Sequence, residues 1–327
     1  MGRNRVLAAV ATAALVLGTP GAAFAADDDG PSVHYALSDL EGDTGVLLVA
    51  AAAPRGVASV HADVKGQDGA VLASSDGFAL REGTAESGVW ASTAPFTLPA
   101  LGYYPVEVTV TDTAGGTATG EGALSYVVRA FYDGLRLRPA AVTYEQRSVT
   151  VSGVLKGARP GGRVERLAGA EIEVAGRWDA AYVTTDADGR FSGTVPISFE
   201  NERVTVNYNF QNPDHLNAFA TVGNVRIKPR ATRVTAKLSA KRVDAGESVT
   251  VSGVASWRTP SGWEPVAAGT VGIDGYGSVP VDATGAYSLT VTPSASATLH
   301  VQYAIDDDPF VARSSRDVAV TVIQPAG

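Results

Sequence analysis

The sequence predicts an all-β protein made of antiparallel sandwiches in tandem. Apolar residues alternate with polar ones over long stretches, as where Val106, Val108 and Val110 are separated by Glu107 and Thr109. Alternation of this period marks strands that bury one face. Turn signals rich in Gly and Asp recur about every 8–12 residues, and about seven strands per 100 residues are typical of a two-sheet sandwich.

A repeated string indicates that part of the chain is duplicated. SVTVSGV occurs at Ser148–Val154 and again at Ser248–Val254. Downstream segments correspond as well, since Thr185–Val195 matches Val281–Val291 with a slightly smaller offset. Offsets that drift in small steps are expected when loops change length between fixed strands. The two regions are therefore predicted to be copies of one fold.

Four segments follow from this pattern. We expect a signal peptide over 1–25, an acidic sandwich over 26–129, and two repeat sandwiches over 130–229 and 230–327. The short, stiff stretch Lys228–Arg230 is predicted to join the two repeats.

The N-terminus has the layout of an export signal. Arg3 and Arg5 precede the apolar run Val6–Gly18, and Ala23–Ala25 forms a small-x-small cleavage site. The run is too short to span a bilayer. We expect cleavage near Ala26 and a secreted, extracellular protein.

Cysteine is absent from the 327 residues. Lipid anchoring at a signal-peptide cysteine is therefore excluded, and each domain must be held by its own apolar core without a disulfide. The sequence has no second long apolar segment, so we expect no membrane anchor and release from the cell.

The negative charge is concentrated in one region. The formal net charge is −8, and Asp27–Ala130 carries 4 basic and 14 acidic residues. Both repeats are close to neutral. Nucleic acid is therefore disfavoured as a partner. A cationic partner and simple solvation of a secreted surface remain alternative explanations of the acidic block.

The stretch Gly102–Asp112 reads as a tyrosine followed by a long alternating strand. This is the layout of a tyrosine corner, in which the Tyr104 hydroxyl fixes a crossing loop. Pro105 lacks a backbone donor, so pairing at this position is expected to be one-sided or bulged.

These motifs resemble known families. VEVTVTDTAGGTATG, at Val106–Gly120, resembles the last hairpin of bacterial immunoglobulin-like (Ig-like) domains. The repeated segments resemble Ig-like repeats of secreted actinobacterial proteins. They also resemble carboxypeptidase-regulatory-like sandwiches, which carry a Thr-Asp-x-x-Gly-x-Phe/Tyr turn. The resemblance covers nearly all of Val33–Ile323 and implies tandem Ig-like sandwiches serving adhesion, spacing or ligand binding.

Catalytic signatures are sparse. The sequence contains neither a Gly-x-Ser-x-Gly elbow nor a cysteine nucleophile, and His34, His61, His215 and His300 are scattered over the three blocks. We expect no enzymatic activity and no cofactor, and we expect His300 to face solvent from a strand. A histidine within hydrogen-bond reach of both a serine and a carboxylate would instead favour a hydrolase.

Five acidic residues are weak calcium candidates: Asp186, Asp188, Asp306, Asp307 and Asp308. Around Asp186, Thr184 stands where a complete calcium loop has another acid, and no glutamate follows at the required spacing.

Both repeats share Asp-Ala-x-Gly, at Asp186–Gly189 and at Asp282–Gly285. This pattern suits a hairpin turn, which is the preferred interpretation. The run Asp306–Asp308 is expected to be a solvated loop.

Tryptophans are the candidate ligand contacts. Trp263 lies in a turn-rich loop and Trp178 follows a Gly-Arg turn, so both are predicted to reach a ligand. Trp257 shares the face of the preceding valines and is expected at the core or its rim. Val164 stands where the other repeat has Trp263, so this contact would belong to one copy.

Taken together, the residues favour a non-catalytic secreted protein that binds or spaces through Ig-like domains. Its expected partner is an extracellular protein or a polysaccharide. A carbohydrate- or cell-wall-binding module with exposed aromatics is the alternative, and a secreted hydrolase has the least support.

Overall fold

The computed structural model describes residues 30–209 and 212–324. Every regular element in these ranges is a β-strand, which confirms the all-β fold. The predicted signal peptide, 1–25, lies outside the described residues. The chain folds into tandem β-sandwiches. Within the described ranges no helix is long and apolar enough to cross a bilayer.

The first sandwich is one eight-stranded sheet. Its strands are β1 (Ser32–Ser38), β2 (Leu47–Ala52), β3 (Val57–Lys65), β4 (Val71–Ser75), β5 (Phe78–Gly83), β6 (Ser87–Ser92), β7 (Gly102–Asp112) and β8 (Thr117–Tyr126). Their order is β4-β3-β7-β8-β1-β2-β6-β5. Strands β1 and β8 run parallel and meet at Leu37 and Ala123. Val49, Val60 and Val108 from the two halves share one buried cluster, so the sheet folds over itself where we expected two separate sheets.

The tyrosine corner is confirmed. The Tyr104 hydroxyl donates a hydrogen bond of 2.8 Å to the carbonyl of Ala100, four residues upstream. Pro105 pairs with Ala123 of β8, whereas pairing of β7 with β3 begins only at Val106. Pairing at the proline is thus one-sided, as its missing donor predicts.

The second sandwich contains two sheets. Its strands are β9 (Val128–Arg138), β10 (Ala141–Thr143), β11 (Ser148–Ala158), β12 (Val164–Arg166), β13 (Glu171–Ala175), β14 (Ala180–Thr184), β15 (Arg190–Pro196), β16 (Glu202–Tyr208), β17 (His215–Leu216) and β18 (Ala218–Lys228). One sheet has the order β10-β18-β16-β13-β14, and the other has β12-β11-β9-β17 with β15 on β11.

The third sandwich repeats this plan. Its strands are β19 (Thr232–Val234), β20 (Lys237–Leu238), β21 (Arg242–Asp244), β22 (Val249–Thr259), β23 (Gly262–Pro265), β24 (Thr270–Ile273), β25 (Gly277–Pro280), β26 (Ala286–Val291), β27 (Ala297–Ala304) and β28 (Ser314–Ile323). The sheet β21-β28-β27-β24-β25 matches β10-β18-β16-β13-β14 strand for strand, and β22 carries β19, β20, β23 and β26.

The duplicated string occupies the same place in both copies. Val149 of β11 pairs with Val195 of β15, and Val249 of β22 pairs with Val291 of β26. The same register continues to the end of the string. The first two of its three valines are buried in both copies, and the third is half-buried, so the string is one core strand of a repeated sandwich, as predicted.

The Asp-Ala-x-Gly turns are also shared. Asp186 Oδ1 accepts hydrogen bonds of 2.8 Å from the backbone N–H groups of Asp188 and Arg190. Asp282 Oδ1 accepts the equivalent two from Thr284 and Ala286. These side-chain bonds to the backbone confirm hairpin turns at both places.

The described residues divide into two compact units. The first contains the described residues up to Phe131, together with Lys156–Glu165 and 212–217. The second contains Tyr132–Leu155, 166–209 and 218–324. The second unit thus holds the whole of the third sandwich and most of the second. The boundaries at 129/130 and 229/230 remain predictions.

Candidate functional site

Trp178 lies at the tip of the hairpin that joins β13 to β14. Its side chain is 72% exposed. The indole packs at 6.4 Å against the ring of Phe199, and the Arg177 guanidinium lies 5.4 Å from the indole and 4.8 Å from the phenyl centroid. A cation over two rings holds this exposed cluster together.

A buried carboxylate organises the two loops that carry this cluster. Glu202 is 5% exposed and accepts a hydrogen bond of 2.7 Å from the backbone N–H of Arg177. Its other oxygen accepts from the N–H groups of Ser198, at 2.8 Å, and Phe199, at 3.1 Å. A side chain on Gly176 would lie 2.5 Å from the same carboxylate. Sequence reasoning missed Glu202, because only its burial distinguishes it from a surface glutamate.

Trp263, the other predicted contact, is half-buried. It lies in β23, opposite Arg258 of β22. The guanidinium of Arg233 lies 4.6 Å from its ring centroid and that of Arg258 lies 5.8 Å away. Much of the indole is therefore covered by arginines. Its ligand role remains a prediction, as does that of Trp178.

Trp257 contributes to the interdomain joint, a cluster of Tyr144, Glu145, Arg147, Arg230 and Trp257. The Arg230 guanidinium lies 4.0 Å from the Tyr144 ring centroid and 4.6 Å from that of Trp257. The two rings meet edge to face at 5.2 Å. Arg230 also forms an ion pair with Glu145. Arg230, at the start of the third sandwich, is thus held between the Tyr144 ring of the second sandwich and the Trp257 ring of the third.

A second arginine extends the interdomain joint. Arg147 lies 4.6 Å from the Tyr144 ring centroid and 4.4 Å from that of Phe310. It also contacts Asp308 at 3.1 Å. The backbone N–H of Arg230 donates to the carbonyl of Phe310 at 2.8 Å, which fixes Arg230 within the third sandwich. The contacts that connect the second and third sandwiches are between side chains.

The calcium candidates are engaged by protein groups. Asp188 lies 2.7 Å from Arg166 and 3.7 Å from Arg190. Asp186 accepts hydrogen bonds from the backbone of its own hairpin turn. Asp308 pairs with Arg147 and accepts a hydrogen bond of 2.9 Å from the N–H of Phe310. Among residues 30–209 and 212–324, no group of three His, Asp or Glu side chains has an arrangement that could hold a metal ion. A calcium role for Asp306 and Asp307 stays a prediction.

Ser74 and His61 meet at a carboxylate-rich site in the first sandwich. His61 Nδ1 lies 2.7 Å from Asp76, and Nε2 lies 3.2 Å from Asp63. The Ser74 hydroxyl donates to Asp63, so the carboxylate accepts its proton rather than the imidazole. The hydrogen bond to Asp76 is the main reason that the pKa of His61 is raised. Since carboxylates favour the charged imidazolium, His61 is poorly placed to activate Ser74 as a base.

An open depression lies on the second sandwich. It is lined by Arg138, Pro139, Gln146, Thr150, Ser152 and Ser192. Hydroxyl groups dominate the lining, and Arg138 is its one ionisable side chain. This chemistry suits hydrogen bonding to a polar group and does not provide an acid–base pair.

Comparisons with known proteins give low similarity. No protein-family model matches the sequence, and no curated protein matches it. A tetra-tandem repeat from the extending region of a large adhesion protein is 16% identical, with 88% of this chain and 73% of that chain covered and a TM-score of 0.35. A 1.5-MDa bacterial ice-binding adhesin is 17% identical, with 91% and 100% covered and a TM-score of 0.27. An Escherichia coli adhesin is 14% identical, with 92% and 99% covered and a TM-score of 0.24. Similarities of this size carry no argument about function.

Proposed function

We propose that the protein is a non-catalytic extracellular scaffold that binds a partner, with the second and third sandwiches acting as one stiff spacer. The observation that carries the proposal is the interdomain joint. Flexible arrays connect their domains through exposed linkers with few contacts across them. Here Arg230 is instead clamped between Tyr144 of the second sandwich and Trp257 of the third, and Arg147 of the second sandwich contacts Phe310 of the third.

Export supports the extracellular part of this proposal. The charged start, the apolar run Val6–Gly18 and the small residues at Ala23–Ala25 form a secretion signal by sequence. The absence of cysteine is compatible with a location inside or outside the cell. The proposed extracellular location therefore rests on the export signal alone.

The proposed lack of catalysis is supported by the chemistry of the Ser74–His61 site. Its carboxylates stabilise imidazolium, while a hydrolytic serine needs a neutral imidazole as its hydrogen-bond acceptor.

Spin labelling of the full chain tests the stiff spacer. Because the chain has no cysteine, Ser192→Cys and Ser288→Cys place one label on each repeat at equivalent exposed positions. We expect one narrow distance distribution by pulsed electron spin resonance. Arg230→Ala should broaden it, because the cation between the two rings is lost. Arg233→Ala, which removes an arginine from Trp263 outside the joint, is the matched control and should leave the width unchanged.

A parent distribution as broad as that of Arg230→Ala would refute the stiff spacer. A broad distribution in the parent alone would refute it as well, and that result does not depend on the stability of the variant.

A further inference from the structure

Exposed aromatic side chains are concentrated on one sheet of the second sandwich. Within residues 30–209 and 212–324, the most exposed large hydrophobic residues are Trp178 at 72%, Phe219 at 67% and Tyr182 at 63%. Tyr182 lies on β14 and Phe219 on β18, while Trp178 lies at the hairpin tip of the same sheet. Isolated exposed apolar residues are ordinary, but a group of this kind on one face marks an interaction surface.

Register places two of these rings in one line. Tyr182 pairs with Glu173, Glu173 pairs with Asn207, and Asn207 pairs with Phe219. Directly paired residues project from the same face of a sheet, and the line crosses three strand spacings, or about 14 Å. We call these four residues the aromatic row.

The centre of the aromatic row is polar and ordered. The Tyr182 hydroxyl donates to Glu173 Oε1 at 3.2 Å, and Asn207 Nδ2 donates to Glu173 Oε2 at 3.4 Å. The row therefore has a ring at each end and a hydrogen-bonded carboxylate and amide between them.

The fold does not require these rings. At the same register positions the third sandwich has Ser278, Gly272, Gln302 and Ser315. That sheet has the same strand order and is completed without an aromatic residue in the row. Exposed rings that the sister copy lacks contribute little to folding and are specific to the second sandwich.

A shallow trough runs beside the aromatic row. The neighbouring line on the same face is Ala180, Ala175, Thr205 and Thr221, about 7 Å further along the strands. All four side chains are small. The face therefore combines raised rings with a low, partly polar floor.

We propose that the aromatic row binds an uncharged, linear polysaccharide, a proposal that rests on the binding role proposed above. A pyranose ring presents an apolar C–H face and an edge of hydroxyl groups. The C–H faces would stack on Tyr182 and Phe219, and the hydroxyls would bond to Glu173 and Asn207, which offer both acceptors and a donor. The trough gives the sugar edges room beside the rings.

Charge and shape favour this occupant over a protein. The row carries one formal charge, on Glu173, and both of its oxygens already accept a hydrogen bond. A charged partner would find no matching patch in the row. A protein partner needs a close-packed apolar centre, whereas the middle of this face is formed by a carboxylate, an amide and small side chains. Two ring-bearing positions three strand spacings apart, about 14 Å along the sheet, suit a ligand that repeats along its length.

Co-sedimentation of the full chain with insoluble cellulose, chitin and β-1,3-glucan tests the proposal. The variant Tyr182→Ser/Phe219→Ser installs the residues of the third sandwich, so it is expected to fold with an unchanged melting temperature. Its retention on the polysaccharide that binds the parent should fall about tenfold, equivalent to about 1.4 kcal/mol. Tyr103→Ser removes a ring that is 54% exposed in the first sandwich and should leave retention unchanged.

Three results would overturn the proposal. The first is a parent that is retained on none of the three polymers, and the second is a double variant that is retained as well as the parent. The third is a parent dimer in sedimentation velocity that the double variant loses, which would assign the face to a second copy. The spin-label distances are read independently, so the stiff spacer stands or falls on its own.

Discussion

Tyr287 lies directly across from Gly253 in the antiparallel pair of β22 and β26. Its hydroxyl donates a hydrogen bond of 2.7 Å to the carbonyl of Thr235. A methyl group on Gly253 would lie 1.8 Å from that carbonyl oxygen and 2.9 Å from the tyrosine ring. The glycine of the repeated string therefore leaves space for a neighbouring backbone and for the ring that is bonded to it.

Gly253→Ala should destabilise the third sandwich by about 1–3 kcal/mol, because a backbone carbonyl would have to move. Gly153→Ala should cost less. Its methyl would meet the side chain of Leu135 at 2.8 Å and the ring of Phe191 at 3.2 Å, and both can shift. Urea unfolding of the two variants measures the difference. Equal losses, or a larger loss for Gly153→Ala, would contradict this account of the string.

Glu202→Ala should destabilise the second sandwich by about 2–3 kcal/mol, because three backbone donors lose a charged acceptor. The loops that carry Trp178 should also loosen, which tryptophan fluorescence quenching would detect. Asp179→Ala changes an exposed carboxylate in the same hairpin and should stay within about 0.5 kcal/mol of the parent. Similar unfolding curves for the two variants would show that the buried carboxylate does not organise these loops.

Tyr104→Phe should reduce the stability of the first sandwich by about 1 kcal/mol, since it removes the hydroxyl that bonds to Ala100. Its neighbour Tyr103 is mostly exposed, and Tyr103→Phe serves as the matched control with no expected change. Denaturant midpoints compare the two. If both variants lose the same stability, the hydroxyl of Tyr104 contributes no specific stabilisation through its bond to Ala100.

The ion pair between His300 and Asp317 should make a pH-dependent contribution to stability. The hydrogen bond to Asp317 is the main cause that raises the pKa of His300 above its ordinary value. A raised folded-state pKa means that the contribution is complete below about pH 6.5 and is lost as the pH rises through the folded-state pKa. Proton NMR titration should show that Asp317→Asn lowers the pKa of His300. An unchanged titration would refute the pairing.

The repeat architecture could be predicted because its signals lie in short stretches of sequence. A seven-residue string, an Asp-Ala-x-Gly turn and alternating valines each depend on neighbours in sequence, and all three recur in matching register. The tyrosine corner belongs to the same class, since Tyr104 and Ala100 are four residues apart.

The surfaces and joints could not be predicted in this way. Tyr182 and Phe219 come together only through the registers of three successive strand pairs. Arg230 and Tyr144 are distant in sequence, and their contact depends on how the two repeats pack. The single sheet of the first sandwich depends on one parallel contact between Leu37 and Ala123, for which alternation gives no signal.

Identical strings in adjacent domains create a hazard during synthesis, because each string is also a template for the other's partner strand. One difference between the copies disfavours the pairing of β26 with β11. Val151 pairs with Gly193, and a Cβ on that glycine would already lie 2.7 Å from the side chain of Val174. The corresponding residue in β26 is Leu289. A nascent β26 paired with β11 would push a leucine into Val174, so a single missing side chain disfavours this mispairing.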